Sequence, residues 1–121
     1  MSLRAIELKP FVPAKDFALS RRFYADLGFV EASEVGGVAY FRHGEVSFLL
    51  QDFFNQSLAE NLMLHLLVED IAAWHARLVG AGIAARYGVQ QSEIVLQPWR
   101  MRDFTLSDPS GVLWRIAQNT E

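Results

Sequence analysis

DFALSRRFYADLGF, from Asp16 to Phe29, is answered 54 positions later by DIAAWHARLVGAGI, from Asp70 to Ile83. Each stretch opens on an Asp, whose carboxylate can accept from the free N–H groups of a first helical turn. Each closes on a Gly, the residue best able to take the positive φ that ends a helix. Between them Leu19, Phe23 and Leu27, with Tyr24 beside them, recur at helical spacing and predict one apolar face. Ile71, Trp74 and Leu78, extended by Val79, predict the same for the second copy. An apolar, strand-like run precedes each helix and further strands follow it. The chain therefore reads as one supersecondary unit, βαβββ, written twice.

Working outward, Ala5 to Val12 reads as a strand ended by Pro13, and Phe29 to Glu34 as a second strand after the first helix. Val38 to His43 and Val46 to Gln51 form a hairpin about His43-Gly44-Glu45. Asp52 to Asn61 reads as a polar connector and Leu62 to Val68 as an apolar strand. Ile83 to Tyr87, Glu93 to Gln97, Asp103 to Ser107 and Val112 to Gln118 are the later strand candidates. Asp108-Pro109-Ser110-Gly111 has turn chemistry. The Gly44 and Gly111 turns are further apart than the helices, so the second copy carries an irregular insertion within Gly88–Arg102. The expected architecture is α+β: a single domain over 1–121, made of two tandem βαβββ modules, about 4–54 and 61–119, forming cup-shaped mixed sheets.

Composition narrows the function classes. Half the residues are hydrophobic (51%), enough for a packed core. There is no Cys, which excludes disulfides and thiolate metal sites and suits a reducing, cytoplasmic setting. The net charge of −3, with both signs interspersed, offers no basic face for nucleic acid. No apolar run approaches a membrane span, and the N-terminus lacks a signal-like apolar region, so no membrane partner is expected.

Side-chain alternation assigns faces. Val46, Phe48 and Leu50 should pack under the helix, leaving Ser47, Leu49 and Gln51 on the opposite, concave face. Likewise Phe104, Leu106, Trp114 and Ile116 should face the helix, and Asp103, Thr105, Leu113, Arg115 and Ala117 the cavity. A slip of one residue would exchange the two faces.

The pattern Asp16, Phe23-Tyr24, Leu27-Gly28-Phe29 resembles the D…FY..LGF signature of the vicinal oxygen chelate superfamily, which includes glyoxalase I, extradiol dioxygenases and bleomycin resistance proteins. Ser107-Asp108-Pro109-Ser110-Gly111 resembles its DPxG turn, and Pro98-Trp99 followed by Phe104 the segment before that turn. Pro13-Ala14-Lys15-Asp16-Phe17 and Leu113-Trp114-Arg115-Ile116 with Gln118-Asn119 resemble the opening and ending of the bleomycin resistance group. The resemblance spans about Pro10 to Asn119. It implies paired βαβββ modules and a homodimer whose ligand sites use both subunits.

It also implies where a catalytic divalent metal would be held. Those positions fall on Lys9, Leu49, Met63 and Arg115, none of them a metal ligand at neutral pH. Glu7 and His65 share the cavity face, but each is displaced by two residues in opposite directions. No cofactor is therefore expected. The ligand-contacting candidates are Val38, Tyr40, Leu49, Met63, His65, Trp99, Asp103 and Arg115. Trp99 reads either as an aromatic wall for a flat ligand or as an anchor of its loop to the core. Arg115 reads either as a grip for an anionic group or as the partner of Asp103 across adjacent strands. Phe53-Phe54 reads as a cleft rim or as connector packing. Bleomycin binders carry Trp at the places of Val38 and about Asn61, so bleomycin itself is in doubt as the ligand. The expected function is metal-free binding of an aromatic or amphipathic small molecule in a dimer-interface cleft. The alternative is a metal-dependent glyoxalase- or dioxygenase-like enzyme, and a third class is a structural dimer without ligand.

Overall fold

The computed structural model describes residues 1–120. The first module runs β1 (Phe11–Pro13), α1 (Phe17–Leu27), β2 (Val30–Val35), β3 (Val38–His43) and β4 (Val46–Gln51). A short helix, α2 (Gln56–Asn61), leads to the second module: β5 (Met63–Leu67), α3 (Ile71–Gly80), α4 (Ile83–Tyr87), β6 (Val95–Gln97), β7 (Met101–Ser107) and β8 (Leu113–Asn119). The two sheets have matching orders, β1-β4-β3-β2 and β5-β8-β7-β6. In each, the first strand runs parallel to the last and the other pairings are antiparallel, so both sheets are mixed.

The caps form as the local sequence dictates. Asp16 Oδ1 accepts from Leu19 N at 3.1 Å, and Asp70 Oδ1 from Ala73 N at 3.0 Å. Gly28 ends α1 at φ 110°, where a β-carbon would be strained. Asp70→Ala is expected to lower stability by about 1 kcal/mol, with Asp16→Ala close behind, because each removes one cap acceptor. Urea unfolding checks both, and an unchanged midpoint would show that tertiary packing alone holds the helix start.

The core-side positions are buried except Val46, which is 40% exposed at the start of β4, while Asp103 and Ala117, expected on the cavity face, are buried. Phe48, Leu50, Phe104, Leu106, Trp114 and Ile116 are all buried on the core side. Tyr24 lies at the centre of this core, its ring among those of Phe23, Phe29, Phe41, Phe48 and Trp114. Its hydroxyl donates to Asp108 Oδ2 at 2.5 Å and accepts from Trp114 Nε1 at 2.9 Å. Asp108 Oδ1 in turn accepts from the N–H groups of Ser110 (2.8 Å) and Val112 (2.9 Å). The Phe-Tyr pair of the first helix and the Asp-Pro-Ser-Gly turn of the second module thus meet in one buried network that ties the modules together. Burial pushes the Asp108 carboxyl above its ordinary value, against the opposing pull of the Tyr24 hydrogen bond. Burial, followed by the Asp108 charge, raises the Tyr24 phenol well above its own.

Four expectations are corrected. The strand expected over Ala5 to Val12 shrinks to Phe11–Pro13, whose pairing with β4 begins at Phe11↔Leu49. Before it the chain pairs with no strand, and Leu3, Ile6 and Leu8 are 92%, 80% and 90% exposed. Ile83–Tyr87 is a helix, not a strand. Gly82 and Gly88, both left-handed, bracket it, Ala84 and Ala85 favour helix, and Ile83 is buried. Helix α2 occupies the expected connector, started by Asn55, whose Oδ1 accepts from Leu58 N at 3.0 Å. On α3 the buried residues are Ile71 and Leu78; Trp74 is half-buried and Val79 is 60% exposed.

Candidate functional site

Register makes the two concave faces comparable. On sheet one, Leu49 lies between Phe11 of β1 and Tyr40 of β3. On sheet two, Arg115 lies between His65 of β5 and Thr105 of β7. Val38 opposes Gln51, and Asp103 opposes Ala117. The candidates thus fall into two groups, one per sheet: Val38, Tyr40 and Leu49 on the first, and Met63, His65, Asp103 and Arg115 on the second. Among the described residues no hydrogen bond or ion pair joins one group to the other.

Arg115 is engaged by its neighbour. Its Nη1 donates to Asp103 Oδ2 at 2.9 Å, while Gln97 Nε2 donates to Asp103 Oδ1 at 3.0 Å. The Asp103 side chain is 3% exposed and that of Arg115 26%, so the ion pair is largely withdrawn from water. Both carboxylate oxygens are satisfied within the sheet. Gln97 had no role in the sequence reading; the six-residue spacing to Asp103 becomes a contact only through the β6–β7 register.

Sheet one carries a second polar cluster. Glu7, from the segment before β1, accepts from Tyr40 Oη at 2.9 Å, from Ser47 Oγ and from Lys9 Nζ at 3.3 Å. The Ser47 hydrogen bond, then that of Tyr40, holds the Glu7 carboxyl below its ordinary value. Lys9 Nζ stands 4.8 Å from the centre of the Tyr40 ring. Alternation puts Glu7, Lys9 and Ser47 on the cavity face, but which of them touch depends on how the N-terminal segment lies.

Trp99 sits at the tip of the turn between β6 and β7 and is 56% exposed. It does not anchor its loop to the core. Val95 and Leu96 beside it are exposed as well, so the hairpin presents an apolar surface. Met63 and Leu67 are exposed on β5, with His65 between them. Phe53 is half-exposed, whereas Phe54 packs against the core with Lys15 over its ring. A cleft of about 440 Å³ separates the start of β4 from β5, lined in part by Glu7, Ser47, Phe48, His65, Leu67 and Trp114.

A divalent metal does not fit the donors present. Lys9 and Arg115 are cationic, Leu49 has no donor, and Met63 has only a soft thioether. Glu7 is already held by three side chains, and among the described residues no three His, Cys, Asp or Glu converge.

A family model described as the Glyoxalase/Bleomycin resistance protein/Dioxygenase superfamily matches residues 8–116. The chain belongs to that superfamily. Among solved structures it is similar to a bleomycin-binding protein complexed with bleomycin, at 23% identity and TM-score 0.79, over 95% of this chain and 99% of the other. It is also similar to the bleomycin-binding protein of Streptomyces verticillus complexed with copper(II)-bleomycin (22%, TM-score 0.78, 99% of each chain). A third similar structure is TnmS3, an antibiotic binding protein from Streptomyces sp. CB03234 (24%, TM-score 0.74, 98% and 99%). At these identities the likeness is one of fold. Among curated proteins no sequence match is found. No helix of the described residues is long and apolar enough to cross a membrane.

Proposed function

We propose that this chain is a metal-free small-molecule binder of the bleomycin resistance type. It holds an aromatic or amphipathic compound in a cleft between two copies of itself and acts by sequestration, not turnover. The observation that carries this reading is the donor chemistry. The positions where the family resemblance puts the metal of catalytic members are Lys9, Leu49, Met63 and Arg115, and the nearest substitutes, Glu7 and His65, line one cleft but belong to no group of three His, Cys, Asp or Glu among the described residues. The fold-level likeness to three antibiotic binders supports the ligand class.

The division of the site between two sheets supports a dimer. Within one chain no hydrogen bond or ion pair among the described residues joins Tyr40 and Leu49 to Met63 and Arg115, and a second copy would set one group opposite the other. The exposed Leu3, Ile6 and Leu8 and the apolar hairpin around Trp99 give such a copy surface to bury. Flat apolar area against Trp99, Tyr40 and Met63 would supply the affinity, with Val38 and His65 shaping the wall and Asp103, buried beneath, holding Arg115 in place. The absence of Cys suits a cytoplasmic setting.

A thermal-shift screen of bleomycin-class and other aromatic antibiotics tests the reading. A ligand present at about a hundred times its Kd should add about 2.7 kcal/mol of stability. Trp99→Ala should weaken that ligand about tenfold, and chelator dialysis should leave its affinity unchanged. One tightly bound divalent ion per subunit in protein purified without chelator would instead favour a metalloenzyme.

A further inference from the structure

The repeat is not perfect, and its imperfection leaves a cavity. Under the 54-residue offset Phe23 of α1 corresponds to Arg77 of α3. Phe23 is covered: after α3 the chain makes the extra helix α4, which sets Tyr87 edge-on against Phe23 at 5.2 Å and lets the Tyr87 hydroxyl bond Asp26. After α1 no helix intervenes, and the chain goes directly into β2. Nothing plays the part of Tyr87 for Arg77. In its place is a cavity of about 210 Å³, lined by Leu27, His43, Ala73, Trp74 and Arg77.

The lining has a definite chemistry. Trp74 offers a half-buried indole, edge-on to His43 at 5.2 Å. His43 Nδ1 lies 3.0 Å from the Gly28 carbonyl oxygen, so that nitrogen carries the proton and Nε2 remains the free one. The guanidinium of Arg77 lies over Gly28, so close that a β-carbon there would fall 2.9 Å from Nη2. Arg77 takes part in none of the four ion pairs of the described residues. An aromatic wall beside a guanidinium without a carboxylate partner matches a flat ring bearing an anionic group. The volume suits one ring, since a cavity of about 150 Å³ accepts benzene.

We propose that this junction between α1 and α3 is a second ligand site, separate from the concave faces, that takes a monocyclic aromatic carboxylate. The ring lies against Trp74 and Leu27 where the other module places its own Tyr87, and the carboxylate meets Arg77.

The test is fluorine NMR of 4-fluorobenzoate with the full-length protein, alongside neutral fluorobenzene. Saturable binding with a Kd on the order of 1 mM is expected for a ligand of this size, with a shift of the Trp74 indole resonance, assigned through Trp74→Phe. Arg77→Leu should weaken fluorobenzoate about tenfold and spare fluorobenzene. Ala73→Phe should fill the cavity and abolish both. Both substituted residues are exposed, so the fold should survive either change. Absence of saturable binding, an undisturbed Trp74 resonance, or fluorobenzoate affinity indifferent to Arg77→Leu or to Ala73→Phe would each overturn the proposal.

Discussion

Asp108→Ala is expected to cost about 3–5 kcal/mol, the largest loss from any single polar change in this protein. The carboxylate serves three buried donors at once: the Tyr24 hydroxyl and the N–H groups of Ser110 and Val112. Removing it leaves all three inside the protein without an acceptor, and none can reach water without opening the core. Tyr24→Phe removes one of the three donors and leaves the turn intact, while also stripping Trp114 Nε1 of its acceptor; about 2 kcal/mol is expected. Its pH dependence follows from linkage. The Asp108 carboxyl is raised in the fold above its ordinary 3.8, so its contribution to stability is fully present below that value and is lost as pH rises through the folded-state value. The Tyr24 hydrogen bond opposes that rise. Without it the folded-state value climbs further, and the deficit of Tyr24→Phe must grow from pH 3 to pH 7. Urea unfolding at the two pH values measures this, and equal deficits would mean that Asp108 does not depend on Tyr24.

Arg115→Ala should destabilise by about 2–3 kcal/mol, below the usual range for breaking a buried pair because Arg115 is partly solvated. Asp103, whose side chain is 3% exposed with Arg115 in place, would keep only Gln97 as a side-chain partner. Asp103→Asn in the same chain should recover part of the loss, since a neutral amide needs no counter-charge. A double-mutant cycle by urea unfolding reads the coupling. If Arg115→Ala unfolds like the parent and loses only ligand affinity, the residue is a ligand grip and the ion pair with Asp103 is incidental.

Much of the fold was legible because it rests on short-range rules. Asp16 and Asp70 cap helices through contacts three residues away, and Gly28 stops α1 through its own φ. The faces of β4, β7 and β8 follow from a period of two, and burial of Phe48, Phe104 and Trp114 agrees with it. Ile83–Tyr87 was misread because five apolar-rich residues fit a strand or a helix equally by pattern. The packing of Tyr87 on Phe23 selects the helix. Ala5 to Pro10 was misread for the converse reason: strand-like residues form a strand only where a partner edge is offered.

The candidate site divides in the same way. The sequence alone determined the repeat, the starts of α1 and α3, the end of α1 and most of the core-facing strand positions, because each of these is a property of spacing or of chemistry at one position. Only the tertiary structure decided that Tyr24 reaches Asp108 across 84 positions, that Asp103 is shared by Arg115 and Gln97, and that Trp99 points to solvent. Those contacts join residues that no local rule couples. They exist because two sheets and their helices close on one core, and the geometry of that closure is written in no single stretch of the chain.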